Sequence, residues 1–480
     1  MSSHRVQRIH FVGIGGSGMS GLAEVLSNLG YEISGSDLAV GETVERLARL
    51  GCEIHTGHDP HHIEGKHLVV VSSAVQPSNP EWKEARRRKI PVLKRGAMLA
   101  EIMRLMKMGI AVAGTHGKTT TTSLVAHVLT EAGLDPTFVV GGRLRTLGSN
   151  ARLGLGEILV AEADESDGSF LDLLPTIGII TNIDREHMEH FGTLDRLHAE
   201  FVTFANHVPF YGVNVVCAGD PGVREIMPRI QRRIVTYGLD PSYSVSASDI
   251  RPAGFQTHFR VRITGKDEGL VTLNLPGLHN VLNALAVIAV ARELEISMES
   301  VRRGLSTFPG VSRRFEVRRE VGGVTLMDDY GHHPTEIHAV LSTLRPIWKD
   351  RIVCLFQPHR YTRVRDMAAE FAGAFKGADI VVVTGIYPAG EKPIPGIDAR
   401  NLTEPIQNES RTEVRYLEDE EAIRRHLPGL LKSGDLLVTL GAGNVWRWGE
   451  AVLSELEALH SEPAAKAAKA AKAVKGMKSE

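Results

Sequence analysis

The sequence is poor in the features that mark secreted, membrane-spanning or nucleic-acid-binding proteins. It has only three cysteines (Cys52, Cys217 and Cys354), which are far apart and odd in number, so neither a disulfide framework nor a CxxC metal site is indicated. No apolar run approaches the roughly 18 residues of a membrane helix, and the N-terminus lacks the apolar core of a signal peptide. The 55 Lys and Arg residues balance 57 Asp and Glu residues. We therefore expect a cytoplasmic protein without a nucleic-acid or membrane partner.

Glycine is the residue in excess. The 480 residues include 48 glycines, which is above the usual fraction of about 7%. Short continuous apolar runs alternate with helical patterns along most of the chain, as in parallel sheets that helices cover on both faces. The clearest runs are Ile9–Ile14, Leu68–Val71, Ile110–Ala113, Ile158–Ala161, Ile177–Thr181, Val213–Cys217, Ile352–Phe356, Ile380–Thr384 and Leu436–Leu440. The pattern predicts an α/β fold with several separate sheets.

The length and the breaks in this pattern predict three domains. The first covers residues 1–107. The second covers residues 108–310, and its Thr- and Val-containing alternation between Pro241 and Leu275 predicts a small antiparallel β insertion. The third covers residues 311–460. Residues 461–480 are rich in Ala and Lys, and we expect them to form a disordered tail.

The first glycine loop lies between a predicted strand and a predicted helix. Its GxGxxG motif is formed by Gly13, Gly15, Gly16, Ser17 and Gly18. In such a loop the glycines allow a tight turn, the approach of a phosphate to the backbone, and close packing of the helix. Asp37, about 20 residues further on, is placed to accept a ribose hydroxyl. The motif predicts a bound diphosphate and ribose; NAD is one such ligand, but nicotinamide is not required.

The second glycine loop carries the core of a P-loop. It consists of Gly114, Thr115, His116, Gly117, Lys118, Thr119 and Thr120. In a P-loop the backbone amides and the lysine bind phosphates, and the Thr119 hydroxyl would bind Mg²⁺. The general pattern has a glycine where this chain has Val112, so the loop is a variant. Two phosphate loops in different domains predict an enzyme that brings ATP to a second nucleotide-bearing substrate.

Polar side chains also gather where other predicted strands end, which is where α/β sheets place active sites. An acidic run that contains Glu165 follows Ile158–Ala161, and its oxygen atoms suit Mg²⁺. Asn280 and Asn283 lie at i and i+3 of a predicted helix, so both amides face one side. Asn280 is also a candidate N-cap. Arg313 and Arg314 follow the second domain boundary, where a guanidinium could reach the ATP phosphates; a surface arginine pair is the alternative for Arg313.

The ordered set of motifs resembles the Mur ligase family. The segment Gly114–Thr120 is similar to the ATP loop of Mur ligases and folylpolyglutamate synthetases, and Asp329-Tyr330-x-His332-x-Pro334 resembles a family signature. The segment from His10 to Leu26 is most similar to the member that adds L-alanine. The resemblance runs from about Ile9 to Trp446. It implies an N-terminal Rossmann-like domain that binds a UDP substrate, a central P-loop ATPase domain, and a C-terminal Rossmann-like domain that binds an amino acid.

The resemblance also implies roles for individual residues. The UDP substrate would contact Gly13, Gly15, Gly16, Ser17, Gly18, Asp37, Ser72 and Ser73. ATP would contact Gly114, Thr115, His116, Gly117, Lys118, Thr119, Thr120, Asn280, Asn283, Arg314 and Asp329. Two Mg²⁺ ions, which Mn²⁺ can replace, would be held by Thr119, Glu165 and His187. The amino acid and the carboxylates would contact Tyr330, His332, His359, Arg360 and Arg363. The catalytic groups would be Lys118, Arg314 and His332.

This chain lacks a metal-binding lysine that several members of the family have in the central domain. Several members of the family use a carbamylated lysine of the central domain to help bind the second metal ion. This chain has no lysine between Lys118 and Lys266. Another group must therefore supply the charge of the carbamate.

The implied activity is that of an ATP-dependent amide ligase of peptidoglycan precursor synthesis. Its substrates would be ATP, L-alanine and UDP-N-acetylmuramic acid, whose lactyl carboxylate would react as an acyl phosphate with release of ADP and phosphate. The chain would be a monomer or a weak homodimer. A related ligase that recycles a murein tripeptide is a close alternative. An NAD-dependent oxidoreductase would leave Lys118 unexplained, and a regulatory or transport P-loop ATPase would leave the first glycine loop unexplained.

Overall fold

The computed structural model describes residues 7–459, apart from Val40, Ser73, residues 142–149 and Asp167. The predicted tail, residues 461–480, therefore lies outside the described residues. The chain divides into two compact units. One contains residues up to Arg251 together with Gln256–Ser312, and the other contains Pro252–Phe255 and the residues from Arg313 onward. Three sheets contain the strands of the described residues, in agreement with the α/β prediction. No helix in the described part of the chain is long and apolar enough to cross a membrane.

The first sheet is entirely parallel, with strand order β3-β2-β1-β4-β5. Its strands are β1 (Arg8–Val12), β2 (Glu32–Asp37), β3 (Glu53–Thr56), β4 (Leu68–Val71) and β5 (Val92–Lys94). Its helices are α1 (Ser17–Asn28), α2 (Glu42–Arg49), α3 (Pro80–Arg87) and α4 (Arg95–Leu105). Successive strands are added on one side of β1 up to β3 and on its other side from β4 onward, so the strand order reverses between β1 and β4. The glycine loop after β1 thus lies at the switch point, where open α/β sheets bind ligands.

The second sheet has ten strands in the order β15-β14-β13-β12-β11-β10-β6-β9-β7-β8. They are β6 (Met108–Ala113), β7 (Thr137–Val139), β8 (Ala151–Arg152), β9 (Ile158–Glu162), β10 (Ile177–Ile180), β11 (Val213–Cys217), β12 (Ile234–Gly238), β13 (Val245–Ala253), β14 (Gln256–Ile263) and β15 (Lys266–Leu273). The helices are α5 (Lys118–Glu131), α6 (Met188–Phe191), α7 (Leu194–His207), α8 (Pro221–Ile226), α9 (Leu278–Glu293) and α10 (Met298–Thr307). The predicted β insertion does contain an antiparallel pair, β14 and β15. It is not separate, however, because β13 pairs in parallel with β12 and so extends the central sheet.

The third sheet lies in the second unit and has the order β16-β17-β21-β18-β19-β20. Its strands are β16 (Glu316–Val321), β17 (Val324–Asp329), β18 (Ile352–Phe356), β19 (Ile380–Val383), β20 (Glu413–Tyr416) and β21 (Leu436–Leu440). Its helices are α11 (Pro334–Ile347), α12 (Tyr361–Asp366), α13 (Ala368–Ala374), α14 (Thr403–Ser410) and α15 (Glu420–His426), and residues 445–459 are also helical. The β16–β17 pair is antiparallel and the other pairs are parallel.

All three cysteines are buried and reduced. Two of them lie within central strands, Cys217 in β11 and Cys354 in β18. Burial raises the pKa of the Cys354 thiol, which keeps it protonated and unreactive. The cysteines thus serve as small core side chains, as their spacing predicts.

Candidate active site

The first glycine loop is closed by Asp37. The Gly13 N–H donates to the Ser36 carbonyl at 2.8 Å, and the Gly15 N–H donates to the Asp37 carboxylate at 2.8 Å. Asp37, predicted to accept a ribose hydroxyl, thus also holds the loop from the end of β2. Ser72 lies beside Gly13, where an added Cβ would be 3.2 Å from the Ser72 Cβ. Two predicted ligands cannot be placed, because Ser73 and the Ser17 side chain lie outside the described part of the structure.

A buried carboxylate that was not predicted from the sequence is linked to this loop through Ser36. Glu81 of α3 is fully buried and accepts hydrogen bonds from the Ser36 hydroxyl at 2.6 Å and from His62 Nδ1 at 2.7 Å. His58 Nδ1 lies 3.1 Å from Glu81 Oε2, the oxygen that accepts from Ser36. Burial alone would raise the pKa of Glu81, but hydrogen bonding by His10, Ser36 and His62 lowers it to about 2. The ionised carboxylate therefore ties α3 to β2 and to the segment after β3.

We expect Glu81→Gln to destabilise the protein in a pH-dependent manner. The pKa of Glu81 falls from 4.5 to about 2 on folding. Its stabilisation is therefore complete above about pH 4.5 and is lost as the pH falls toward 2. The shift corresponds to about 3 kcal/mol. Urea unfolding of wild type and variant at pH 6.5 and pH 3 measures the difference, and an equal difference at both pH values would contradict the role of the charge.

The second glycine loop holds Lys118 in a buried ion pair. The Lys118 ammonium donates to Glu165 Oε1 at 2.7 Å and to the Gly114 and Thr115 carbonyls at 2.6 and 3.0 Å. Burial lowers the pKa of Lys118, but the charge of Glu165 and its hydrogen bond outweigh burial and raise the pKa. The loop thus carries a fixed positive charge at the start of α5, where backbone N–H groups already favour an anion. This arrangement suits a nucleotide phosphate.

Two residues that follow β10, neither of them predicted from the sequence, hydrogen-bond to the loop. The Asn182 side chain accepts from the His116 N–H at 2.8 Å and donates to the His116 carbonyl at 2.9 Å. The Thr181 hydroxyl donates to the same carbonyl at 2.7 Å. At Gly114, which has φ +132°, an added Cβ would lie 2.1 Å from the Thr181 hydroxyl. Only glycine allows the loop to approach β10 so closely.

The hydroxyl predicted to bind Mg²⁺ faces a different carboxylate from the predicted one. Thr119 donates to Glu162 Oε1 at 3.0 Å, whereas Glu165 is occupied by Lys118. Glu162 is the last residue of β9, and Val112 of β6 is its register partner, so the strand ends bring it to the loop. His187 Nε2 lies 3.9 Å from Glu165 Oε1. The structure therefore gathers Thr119, Glu162, Glu165 and His187 at one end of the sheet.

The two predicted amide ligands lie beside the P-loop. An added Cβ at Gly117 would be 2.7 Å from Asn283 Oδ1. Asn283 donates to Asn280 Oδ1 at 3.2 Å, and Asn280 donates to the Pro276 carbonyl at 2.8 Å. The N-cap of α9 is Gly277, so the alternative interpretation of Asn280 as the cap is wrong. The Asn280 amide is buried in the first turn of that helix.

In the second unit, Arg313 is not a surface residue. Its guanidinium donates to Asp328 Oδ2 at 3.0 Å and to the Gly441 carbonyl at 2.6 Å. Asp328 also accepts from the Thr439 hydroxyl at 2.6 Å. Arg313 therefore ties β17 to the loop after β21 and is structural. Arg314 turns elsewhere, with its guanidinium 5.3 Å from the centre of the Tyr330 ring and 3.6 Å from Glu336.

Asp329 is buried at the end of β17. Its two carboxylate oxygens accept from the Phe315 N–H at 2.9 Å and the Gly331 N–H at 2.8 Å. Burial raises its pKa to about 6, against the opposing effects of Arg314 and the two backbone N–H groups. The residue predicted to bind the ATP ribose thus shapes the turn that presents Tyr330 and His332.

We expect the stability conferred by Asp329 to fall as the pH rises from about 4 to about 6. The folded state raises the pKa of Asp329 from 3.8 to about 6, so the folded protein binds the proton more tightly than the unfolded chain. The cost of ionisation, about 3 kcal/mol, applies fully above this range. Asp329→Asn removes the titration, so its unfolding free energy should depend less on pH between 4 and 6 in denaturant titrations. Parallel profiles for the two proteins would contradict this prediction.

Tyr330, His332, His359 and Arg363, four of the remaining predicted residues of the second unit, form a chain of side-chain contacts. The His332 ring lies 5.4 Å from the Tyr330 ring and 5.3 Å from the His359 ring. Arg363 Nη1 lies 3.2 Å from His359 Nδ1. His332 Nδ1 lies 3.0 Å from the Tyr330 carbonyl. Because a carbonyl can only accept, this hydrogen bond requires a hydrogen on Nδ1, and in a neutral ring Nε2 is then the nitrogen that can accept a proton. Arg360 is the N-cap of α12, and its N–H donates to the Tyr387 carbonyl at 2.9 Å.

The chain belongs to the Mur ligase family. Residues 8–107 match the Mur ligase family catalytic domain, residues 112–291 the Mur ligase middle domain, and residues 313–443 the Mur ligase glutamate ligase domain. A UDP-N-acetylmuramate–L-alanine ligase of Geobacter sulfurreducens is 53% identical over 94% of this chain and 98% of its own length. The enzyme of the same name from Sorangium cellulosum is 51% identical over 95% of this chain and 97% of its own.

Solved structures agree with this relationship. The UDP-N-acetylmuramate–alanine ligase of Thermotoga maritima superposes with a TM-score of 0.79 and 30% identity, covering 94% of this chain and 99% of that chain. A murein peptide ligase from Psychrobacter arcticus gives a TM-score of 0.69 and 26% identity over the same shares. The three-part α/β fold is thus confirmed. The similarity is greater to alanine ligases than to the murein peptide ligase.

Proposed function

We propose that this chain joins L-alanine to the lactyl carboxylate of UDP-N-acetylmuramic acid in peptidoglycan precursor synthesis, with conversion of ATP to ADP and phosphate. The observation that carries the proposal is the identity of about half of all residues, over nearly the full length, with relatives named for this reaction. The two glycine loops support it, because they provide one nucleotide site for the sugar substrate and another for ATP.

The reaction requires activation of a carboxylate, which is a poor electrophile at neutral pH. Transfer of the γ-phosphoryl group of ATP to the lactyl carboxylate gives an acyl phosphate and ADP. The amine of alanine then attacks the carbonyl carbon, and inorganic phosphate leaves from the tetrahedral intermediate. Lys118 would neutralise charge on the transferred group, assisted by Arg314. His332 would accept the amine proton on Nε2.

The residues near the P-loop fit the Mg²⁺ that this family is expected to use. Hydroxyl and carboxylate oxygens are the donors that Mg²⁺ prefers, and Thr119, Glu162 and Glu165 provide them. We assign one ion to Thr119 and Glu162, and a second to Glu165 and His187. In this assignment Glu165 supplies the negative charge that a carbamylated lysine supplies in several relatives. Bound Mg²⁺ would neutralise phosphate oxygens during transfer.

The setting of the reaction follows from its substrates. ATP and nucleotide sugars are supplied in the cytoplasm, so we place the enzyme there. We propose that it works as a monomer or a weak homodimer and that Mn²⁺ can replace Mg²⁺. Size-exclusion chromatography with light scattering would test the oligomeric state, and an assay of ADP formation in MnCl₂ would test the metal replacement.

The deciding experiment follows ADP release with UDP-N-acetylmuramic acid, ATP, Mg²⁺ and single amino acids. We expect ADP release with L-alanine and little with D-alanine. The tripeptide L-alanyl-γ-D-glutamyl-meso-diaminopimelate serves as the matched amine. ADP release with the tripeptide but not with L-alanine would identify a recycling ligase and would overturn the proposal.

A further inference from the structure

Arg95 lies against the first glycine loop. It is the first residue of α4, and its side chain packs over Gly18 in the first turn of α1. An added Cβ at Gly18 would lie 2.8 Å from Arg95 Cδ, 3.3 Å from Nη1 and 3.4 Å from Nε. The third glycine of the motif therefore makes room for a guanidinium, not for the close strand packing that the motif predicts.

The other side of the same guanidinium faces the acidic segment after β9. Arg95 Nη2 donates to Asp164 Oδ2 at 2.9 Å, and the Arg95 side chain is 18% exposed. Asp164 is held in turn, because its Oδ1 accepts from the Ser166 N–H at 3.0 Å. An arginine that is fixed in this way loses little conformational entropy when it binds a further anion.

The other charges around the first glycine loop indicate why a cation beside it would favour phosphate binding. The Gly15 N–H already donates to the Asp37 carboxylate, which adds negative charge beside the place expected for a diphosphate. The N–H groups at the start of α1 supply only partial positive charge. A guanidinium over Gly18 adds N–H donors and a positive charge, which Asp164 balances only in part because it contacts one side of the group.

We propose that Arg95 is a ligand of the diphosphate of the nucleotide-sugar substrate, held in position by Asp164. This inference rests on the proposed assignment of the first glycine loop to that substrate. It adds a residue from outside the GxGxxG motif, contributed by a helix that begins about 75 residues later in the chain. The same arginine would place the nucleotide sugar next to the segment that carries Glu165.

The test compares UDP and uridine binding to the full-length protein. Arg95→Met keeps the apolar stem and removes the charge. We expect it to weaken UDP binding about tenfold to a hundredfold by calorimetry, while uridine binding, measured by ligand-observed NMR, stays within about twofold of wild type. ATP binding should also stay within that range. Arg104→Met is the matched control, because Arg104 lies on the same helix and pairs with Glu101 at the surface; its UDP affinity should equal that of wild type.

Three results would overturn the inference. UDP binding to Arg95→Met equal to wild type would show that the guanidinium does not contact phosphate. Parallel loss of UDP and uridine binding would show that Arg95 only maintains the shape of the domain. An equal loss in Arg104→Met would show a general effect of helix charge. Failure of the wild-type protein to bind UDP at all would instead count against the proposed function, so the two failures are distinguishable.

Discussion

Lys118→Met is expected to abolish ADP formation while leaving UDP binding unchanged. Lys118 is the cation that the P-loop fixes at the start of α5, and its removal leaves charge on the transferred phosphoryl group uncompensated. We expect the rate of ADP formation to fall by about 10³-fold or more. A coupled ADP assay measures this loss, and calorimetry with UDP tests whether the first sheet is intact. The matched control is Lys107→Met, because Lys107 is an exposed lysine paired with Glu157 before β6.

The loss of ADP formation in Lys118→Met must be distinguished from a loss of stability, because the substitution also leaves Glu165 without its ion-pair partner. Without Lys118, Glu165 would remain buried without its partner cation, a change that typically costs about 3–5 kcal/mol. Burial already raises the pKa of Glu165, so the lone side chain would become protonated. The double variant Lys118→Met/Glu165→Gln should recover much of the unfolding free energy but none of the activity. Recovery of ADP formation in the double variant would show that Lys118 matters only as the partner of Glu165.

Several strands can be predicted from the sequence because their burial on both faces shows as continuous apolar runs. Leu68–Val71, Val213–Cys217, Ile352–Phe356 and Leu436–Leu440 are strands with the predicted bounds, since a parallel strand covered on both faces must be apolar throughout. The neighbours of the β insertion in the sheet are harder to predict. Alternation indicates a hairpin but not its neighbours, so the pairing of β13 with β12 could not be predicted.

The site was less predictable than the fold, because its decisive contacts join distant parts of the chain. The acidic run that begins with the last residue of β9 offers several carboxylates close together, and their order does not reveal which one faces Thr119. Strand register places Glu162 there, and Glu165 turns to Lys118 instead. Glu81 and Asn182 were missed for a similar reason, since neither lies in a recognisable motif. Asn182 does follow a strand directly, and that position was the one usable signal.

Glu162→Gln is expected to weaken binding of ADP in the presence of Mg²⁺ without affecting binding of ADP alone. The carboxylate that accepts from the Thr119 hydroxyl would hold the expected phosphate-bound ion together with that hydroxyl. Loss of one charged ligand should reduce the Mg²⁺-dependent gain in ADP affinity by about tenfold to a hundredfold. Calorimetry with ADP, with and without MgCl₂, measures this gain directly and does not depend on residual activity.

A double-mutant cycle decides which carboxylate shares an ion with Thr119. Thr119→Val and Glu162→Gln should be strongly non-additive in the Mg²⁺-dependent gain, because the second substitution removes a ligand from an ion that the first has already weakened. Thr119→Val and Glu165→Gln should be close to additive. The opposite pattern, with coupling to Glu165 and none to Glu162, would mean that the P-loop ion sits with Glu165. In that case the hydrogen bond between Thr119 and Glu162 would break when the nucleotide and its ion bind.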